Sequence, residues 1–205
     1  MAYNLNNKLV IAISSRALFD LEEENQIFEK DGLDAYYKYQ LENEDKSLKK
    51  GTGYRLVENI LKINSLFSSD ERQVEVIILS KNNAATSLRI TNAINDLKLD
   101  IIRSAWTSGT NISNYLKAFK VDLFLSADDN DVLNAIENGV AAAKILPSNE
   151  NIHNSSNNQV RIAFDGDAVL FSEESELVYK NNGLDAFVEH EKLNKDNPLE
   201  MGPFA

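Results

Sequence analysis

Short apolar runs alternate with longer amphipathic stretches along most of this chain. Lys8 to Ile13 predicts a first buried strand, and Val74 to Leu79, in which four of six residues are β-branched, predicts a second. Shorter apolar runs predict further strands over residues 99–102, 123–125 and 141–146. Since helical patterns separate these runs, the order of elements predicts an α/β fold with a parallel sheet and right-handed crossovers.

The stretches between the predicted strands carry apolar residues at helical spacing. From Gly32 to Glu42 the apolar residues share one face, which predicts a helix packed on the core. That face comprises Leu33, Tyr36, Tyr37 and Leu41. The same spacing predicts later helices over residues 54–67, 84–97, 109–119 and 128–139.

A further apolar run, Val160 to Phe164, predicts a buried strand that stops at Asp165-Gly166-Asp167. Gly166 lets the backbone turn tightly, so both carboxylates leave one loop. Ligands of open α/β sheets bind at the carboxyl ends of strands, which is where Asp165 and Asp167 fall. One Asp can attack phosphorus as a covalent nucleophile, and a second, two residues on, can protonate the leaving oxygen. An ordinary turn is the alternative, because Asp-Gly-Asp is common in turns.

A site of this kind needs a divalent cation, since two carboxylates would repel an anionic substrate. Mg²⁺ is the expected ion because it prefers hard oxygen ligands. An EF-hand calcium loop is disfavoured, since nothing after Asp167 continues its alternating oxygen ligands. The two histidines, His153 and His190, are isolated and no cysteine supports them, so we assign them no metal-binding role.

Composition narrows the classes of partner. The chain of 205 residues has a formal net charge of −11, which argues against a nucleic-acid polymer because no basic stripe is present. A small phosphate ester held by a metal ion is compatible with this charge. No stretch approaches a membrane span, and the apolar run near the N-terminus is far shorter than a signal-peptide core. We therefore expect no membrane partner and a cytoplasmic location.

The opening of the chain recurs after residues 147–159, a polar stretch rich in Asn and Ser with the composition of a linker. Gly32-Leu33-Asp34-Ala35 matches Gly183-Leu184-Asp185-Ala186 at an offset of 151 residues, and Gly51 matches Gly202 at the same offset. Because the match keeps a constant offset, the sequence predicts a duplicated unit with a period far too long for a solenoid.

The two copies carry different side chains at the positions of the Asp-Gly-Asp loop. At the positions of Asp165 and Asp167 the first copy has Ser14 and Arg16. Ser14 lacks the carboxylate that would attack phosphorus and bind Mg²⁺, and Arg16 would repel the metal ion. The first copy is therefore expected to be catalytically silent.

The chain resembles the cytosolic 5'-nucleotidase type I family in the run Phe-Asp-Gly-Asp-Ala-Val-Leu-Phe-Ser-Glu-Glu-Ser-Glu that begins at Phe164. The resemblance continues in Asn-Gly-Leu-Asp-Ala-Phe-Val-Glu-His-Glu-Lys and Asn-Pro-Leu-Glu-Met-Gly-Pro. It also includes the opening Ile-Ala-Ile-Ser-Ser-Arg-Ala-Leu-Phe, Leu-Ser-Lys-Asn-Asn near Ser80 and Tyr-Leu-Lys-Ala-Phe near Lys117, and so covers essentially the whole chain. That family is similar to the haloacid-dehalogenase superfamily, whose members hydrolyse phosphate esters through an aspartyl-phosphate with Mg²⁺.

The resemblance implies a haloacid-dehalogenase-like parallel sheet with flanking helices and a nucleoside 5'-monophosphate as the substrate. It implies that Asp165 is the nucleophile and a metal ligand. Asp167 would act as general acid and then as base, with its main-chain carbonyl on Mg²⁺. The segment from Ser172 to Pro203 would form a cap on the substrate side, and Phe171 and Ser172 are candidate substrate-binding residues. Tyr179 and Phe187 are further aromatic candidates for stacking on the base, with core packing as the alternative.

Four residues of the first copy also resemble site groups of the superfamily. Ser80 resembles the phosphate-binding hydroxyl, and Lys117 the cation that offsets phosphate charge. Asp128 and Asp129 resemble the acidic pair that completes the metal site. Each has a structural alternative, because strand-end hydroxyls and acids commonly cap helices and a helical lysine is commonly solvated.

We therefore expect three segments: a degenerate haloacid-dehalogenase-like unit at 1–146, a linker at 147–159, and the start of a catalytic unit at 160–205. The second copy stops at Ala205, before any second Ser/Thr, Lys or acidic motif, so the chain resembles a 5'-nucleotidase truncated at its C-terminus. An exposed unfinished sheet would favour self-association into a homo-oligomer.

Hydrolysis of a nucleoside 5'-monophosphate to nucleoside and phosphate is the expected activity. The alternative is a non-catalytic module that binds a nucleotide or mediates dimerisation, because the catalytic unit is incomplete. In a third arrangement, residues 160–164 lie beside the first sheet, and Asp165 uses Ser80, Lys117 and the acidic pair to complete a site.

Overall fold

The computed structural model describes residues 4–68, 71–147, 159–202 and 204–205, in which one sheet holds five parallel strands. The strands are β1 Leu9–Ile13, β4 Val74–Ser80, β5 Arg103–Trp106, β6 Leu123–Ser126 and β7 Ala141–Lys144. Their order in the sheet is β5-β4-β1-β6-β7, so the two runs predicted first lie side by side at the centre. The predicted α/β class with a parallel sheet is therefore confirmed, and the sheet is consistent with a haloacid-dehalogenase-like fold.

Helices and two further, short strands surround or follow the main sheet. The helices are α1 Ser15–Leu18, α2 Glu22–Glu42, α3 Tyr54–Lys62, α4 Leu88–Asp96, α5 Ser113–Ala118, α6 Asp129–Glu137 and α7 Glu174–Asn194. A 3-10 turn, Ile63–Leu66, follows α3. The short strands β2 Phe19–Asp20 and β3 Lys49–Lys50 pair antiparallel outside the main sheet.

Both faces of the central strands are buried. In β1, Ile11 and Ile13 belong to one apolar cluster, whereas Val10 and Ala12 belong to a second cluster on the opposite face. A parallel strand covered on both sides is mainly apolar on both faces, which is why these runs are nearly continuous rather than alternating. Full burial of each large aliphatic side chain contributes about 1.5–3 kcal/mol.

The strand predicted over residues 99–102 is displaced along the chain. Leu99 and Ile101 pack partly against the core from a loop, while Ile102 is exposed. Pairing with β4 begins only at Arg103, whose guanidinium forms an ion pair with the fully buried Glu75. A cross-strand ion pair, rather than the apolar run, therefore marks the start of β5.

The predicted packing of the face around Leu33 is wrong. Leu33 is 60% exposed, and Tyr37 and Leu41 are exposed as well. Helix α2 begins at Glu22 and is broken in the middle by Gly32 at φ 83° and ψ −175°, a conformation that only glycine adopts readily. This break shifts the face that a continuous helix would have buried.

Polar side chains anchor α2 to α4 instead. Glu24 and Gln40 are the buried residues of α2, and both reach Arg89. A guanidinium nitrogen of Arg89 lies 2.5 Å from Glu24 Oε1, and both side chains are almost fully buried. The orientation of α2 therefore depends on a buried ion pair.

The predicted strand at the start of the second copy is also wrong. Residues 160–164 lie in no strand, and Ile162 is 43% and Phe164 36% exposed. Phe164 instead stacks on Phe204, with ring centroids 4.6 Å apart. A strand needs the backbone of a neighbour, and within the described parts of the chain no strand pairs with this run. The sheet of the first copy does not include it, which argues against the third arrangement.

The local structure of the repeat recurs in three dimensions. Helix α7 is broken at Gly183 with φ 84° and ψ −178°, nearly the conformation of Gly32 in α2. The β2–β3 pair, which joins Phe19 to Lys50, has a counterpart in an isolated antiparallel bridge between Phe171 and Met201. The fold thus supports the duplication inferred from sequence.

The offset between the copies is not constant, which corrects the sequence alignment. In the first copy the amide of Phe19 closes an α turn onto the carbonyl of Ser15. In the second copy the amide of Phe171 donates to the carbonyl of Gly166 over 2.8 Å and closes a π turn, Gly166–Leu170. One extra residue therefore follows Asp-Gly-Asp, a local insertion of the kind that π turns commonly accommodate.

Candidate functional site

A cavity of about 660 Å³ opens at the carboxyl edge of the sheet. Three strands end there in buried serines, Ser14 directly after β1, Ser80 in β4 and Ser126 in β6. Helix α2 lines the cavity with Phe28, Leu33 and Tyr36. The cavity therefore has a polar part formed by strand ends and an apolar part formed by one helix.

Hydroxyl groups form the polar part. Ser14 Oγ accepts hydrogen bonds from the amides of Ala17 at 3.3 Å and Ala127 at 3.4 Å. Ser15 Oγ and Ser80 Oγ lie 3.0 Å apart and share a hydrogen bond. These bonds fix the hydroxyls in place, because each serine sits on a strand end or the first turn of α1.

Fixed charges lie beside these hydroxyls. Lys81 Nζ lies 2.6 Å from Asp131 Oδ1, and Asp128 Oδ1 accepts from the amide of Asp131 at 3.0 Å as the N-cap of α6. Burial raises the pKa of Asp131 above its usual value; Lys81 acts against this shift and Asp128 adds to it. Arg16 lines the cavity too, with a side chain 38% exposed and 3.7 Å from Glu22.

The apolar part is held by a hydrogen-bonded tyrosine. Tyr36 Oη donates to Asn82 Oδ1 at 2.7 Å and accepts from Gln40 Nε2 at 3.0 Å. Burial raises the pKa of Tyr36, which keeps its hydroxyl protonated. The ring of Phe28 meets the Tyr36 ring edge to face at 5.9 Å. An apolar or aromatic group could therefore pack between α2 and the strand ends.

Two of the four site residues predicted in the first copy line this cavity. Ser80 and Asp128 do so, and Asp128 also caps α6 as its structural alternative predicted. Lys117 does not line the cavity, and its Nζ donates to Asn138 Oδ1 at 3.4 Å. Asp129 points away to Lys144, with 2.7 Å between Nζ and Oδ2.

Sequence reasoning missed Lys81, one of the two cations among the described residues that line the cavity. Lys81 directly follows Ser80, so the end of β4 brings a hydroxyl and an ammonium to the same place. Arg16 was considered only for its repulsion of a metal ion. The position of both residues next to strand ends was the available signal, because such positions converge at one edge of a parallel sheet.

The Asp-Gly-Asp loop of the second copy lies outside this cavity. Asp165 has extended backbone, φ −65° and ψ 147°, and both Asp165 and Asp167 are exposed where the π turn begins. Phe171 is exposed at the end of that turn. The amide of Ser172 donates to the carbonyl of Glu200 at 2.8 Å, while its buried hydroxyl makes no hydrogen bond within the described parts of the chain. The loop therefore presents two carboxylates to solvent.

The carboxylates of this loop suit a hard cation. Among the residues that the structure describes, no group of three or more His, Cys, Asp or Glu side chains converges. Mg²⁺ does not require such a cage, since it commonly binds through one or two carboxylates and keeps several waters. Asp165 and Asp167 therefore fit Mg²⁺ by donor type.

No helix in the described ranges is both long and apolar enough to cross a bilayer. His190 Nε2 lies 3.3 Å from a carboxylate oxygen of Glu174 in α7. His153 falls outside the described residues.

Comparison with known proteins identifies a family and a curated relative. A family model described as 5'-nucleotidase matches residues 1–205. Over 201 residues the chain is 36% identical to human cytosolic 5'-nucleotidase 1B. That alignment covers 96% of this chain and 33% of the human protein, so the chain spans about a third of the length of this relative.

Proposed function

The chain belongs to the 5'-nucleotidase family, and from this membership we propose that it carries the nucleophile loop of an enzyme that hydrolyses nucleoside 5'-monophosphates to nucleoside and phosphate. The observation that carries the proposal is the Asp165-Gly166-Asp167 loop, which opens a π turn with both carboxylates exposed. The equivalent positions of the first copy hold Ser14, Ser15 and Arg16, which cannot perform the same chemistry.

The reaction would proceed in two displacements at phosphorus. A carboxylate oxygen of Asp165 forms a bond to phosphorus as the bond between phosphorus and O5' breaks, and Asp167 gives its proton to the departing O5'. Water then attacks the aspartyl-phosphate, and Asp167 takes a proton from that water. Phosphate leaves with the water oxygen, and Asp165 is restored as a free carboxylate.

Mg²⁺ would be held by the Asp165 carboxylate and the main-chain carbonyl of Asp167. When bound, the ion would offset the negative charge of the phosphate against the two carboxylates. The segment 172–203 would lie on the substrate side. Within it, Tyr179 is exposed and meets Phe187 edge to face at 6.2 Å, so Tyr179 offers the more accessible ring for a base.

The proposed domain organisation follows from this assignment. Residues 1–146 form a non-catalytic unit around the five-stranded sheet, 147–159 a linker, and 160–205 the start of the catalytic unit. The name of the human relative includes the word cytosolic, and we place the reaction in the cytoplasm on that basis.

A second candidate is a non-catalytic module that binds a nucleotide. The cavity of the first unit favours it, because that cavity combines cations and hydroxyls with an apolar wall. Both functions can coexist in one chain, since the Asp-Gly-Asp loop does not line that cavity.

Phosphate release from a panel of nucleoside 5'-monophosphates in the presence of Mg²⁺ tests the proposal. Asp165→Asn is expected to abolish release, while the control Asp185→Asn, at an exposed position of α7, is expected to retain it. If the Asp165→Asn variant released phosphate as fast as the unaltered protein, the assignment of Asp165 as the nucleophile would be refuted. Absence of release by the unaltered protein would favour the non-catalytic module.

A further inference from the structure

The cavity of the first unit occupies the place where open α/β sheets bind ligands. It is formed at the carboxyl ends of β1, β4 and β6, and its volume of about 660 Å³ lies within the range of small-molecule sites. Through the repeat, its first strand end corresponds to the Asp-Gly-Asp loop of the second copy. The cavity therefore lies where a ligand site is expected, but its side chains differ in chemistry from those of the second copy.

The change replaces acids by groups that favour an anion. Ser14 and Arg16 stand where the second copy has Asp165 and Asp167, so two negative charges give way to a hydroxyl and a guanidinium. Ser15 Oγ and Ser80 Oγ, 3.0 Å apart, add two more hydroxyls. Phosphate oxygens accept hydrogen bonds from both kinds of group, and those from a guanidinium are charge-assisted.

Three acidic residues of the described chain line the cavity, and one of them, Glu24, forms an ion pair with Arg89 over 2.5 Å. Lys81 Nζ lies 2.6 Å from Asp131 Oδ1, and the Asp128 carboxylate accepts from the amide of Asp131. The ammonium of Lys81 thus lies where a divalent cation would otherwise bind the acids. Because this positive charge comes from the protein itself, an anion can bind here without a metal ion.

The opposite wall suits an apolar or aromatic group. This wall is lined by Phe28, Leu33 and Tyr36 of α2. Leu33 is 60% exposed, so it does not pack in the core but contributes an apolar surface to the cavity. The hydroxyl of Tyr36 is fixed by Asn82 and Gln40, so its ring is held in place before any ligand arrives.

We propose that this cavity is a second, non-catalytic site that binds a nucleoside phosphate without a metal ion. The phosphate lies at the strand-end serines with Arg16 and Lys81, and the nucleoside lies against Phe28 and Tyr36. The nucleoside part of this assignment rests on the proposed function of the chain, whereas the phosphate part rests on the cavity alone.

The test uses the protein with both Asp165→Asn and Asp167→Asn, in EDTA, so that the loop of the second copy contributes neither chemistry nor a metal ion. Isothermal titration calorimetry measures the binding of each probe. The probes are AMP, inorganic phosphate and adenosine. We expect AMP to bind, and inorganic phosphate and adenosine each to bind more weakly, because each fills only part of the cavity.

Arg16→Gln is expected to weaken the binding of AMP at least about tenfold, since it removes a charge-assisted hydrogen bond. Lys117→Gln is the matched control, because it removes a cation outside the cavity, and it should leave the affinity unchanged. Arg16 is partly exposed, so its loss should not unfold the protein, and circular dichroism checks this.

Three results would overturn the proposal: no binding of AMP in EDTA, equal effects of Arg16→Gln and Lys117→Gln, or equal affinities for adenosine and AMP. None depends on hydrolysis. If inorganic phosphate binds, and neither AMP nor adenosine binds more tightly than phosphate does, the cavity is an anion site and the nucleoside assignment is overturned.

Discussion

The ammonium of Lys81 lies 2.6 Å from a carboxylate oxygen of Asp131 at the carboxyl edge of the sheet. Lys81 follows Ser80 in sequence, so a single strand end brings both a hydroxyl and a cation to the cavity. The first copy thus holds its positive charge in side chains, whereas the loop of the second copy presents carboxylates that suit a metal ion. The two copies therefore differ in charge at these positions, where the first has Ser14 and Arg16 and the second has Asp165 and Asp167.

The pH dependence of stability should report the environment of Asp131. Burial raises its pKa above the ordinary value of 3.8, so the folded state holds this proton more tightly than the unfolded state. The contribution of Asp131 to the free energy of unfolding should therefore fall as the pH rises from 3.8 through the folded pKa, and then level off.

Asp131→Asn should remove this contribution. The difference in free energy of unfolding between variant and unaltered protein, measured by denaturant titration at several pH values, is expected to change only within that interval. Asp129→Asn, at an exposed position that pairs with Lys144, serves as control. A pH-independent difference for Asp131→Asn would contradict the raised pKa.

The ion pair between Glu24 and Arg89 should be a major determinant of the position of α2. Glu24→Gln keeps the shape of the side chain but leaves the buried guanidinium of Arg89 without its counter-charge. Such a loss is expected to cost about 3–5 kcal/mol in the free energy of unfolding. Denaturant titration measures it, with Glu22→Gln as an exposed control expected to change stability by less than about 1 kcal/mol. Equal effects of the two substitutions would show that the buried pair is not needed.

The break in α2 should require glycine. Gly32 has φ 83° and ψ −175°, and a Cβ there would meet no neighbouring atom within 4 Å, so any penalty for Gly32→Ala comes from the backbone itself. We expect a loss of about 1–3 kcal/mol in the free energy of unfolding. Asp34→Ala, at an exposed position of the same helix, should cause no comparable loss. An unchanged stability of the Gly32→Ala variant would mean that α2 straightens at no cost.

The sequence predicted the sheet well because its central strands are buried on both faces. Val10 to Ile13 and Val76 to Leu79 have no room for a polar residue, so continuous apolar runs were sufficient evidence of strands there. The run at 160–164 is apolar at four of its five positions but lacks a backbone partner among the described residues. Composition alone could not distinguish these two situations, since strand formation depends on the neighbour as well as on the run.

The cavity was only partly predictable for a different reason. Ser80 and Asp128 were found because they follow or end strands that the sequence identified. The contribution of Phe28 and Tyr36 depends on the direction of α2, which is set by the backbone of Gly32 and by the contact between Glu24 and Arg89. These are a local glycine conformation and a contact between distant residues, and neither has a periodic signature.

The second copy is proposed to carry the nucleophile, and the first copy to lack it. The most direct measurement quenches the protein during turnover of a nucleoside 5'-monophosphate with Mg²⁺, reduces the acyl phosphate with borohydride, and locates the modified aspartate by mass spectrometry. Reduction converts a phosphorylated aspartate into homoserine, which marks its position. Modification of Asp165 is the result expected here, and modification of Asp128 or Asp129, or of no aspartate while phosphate is released, would contradict it.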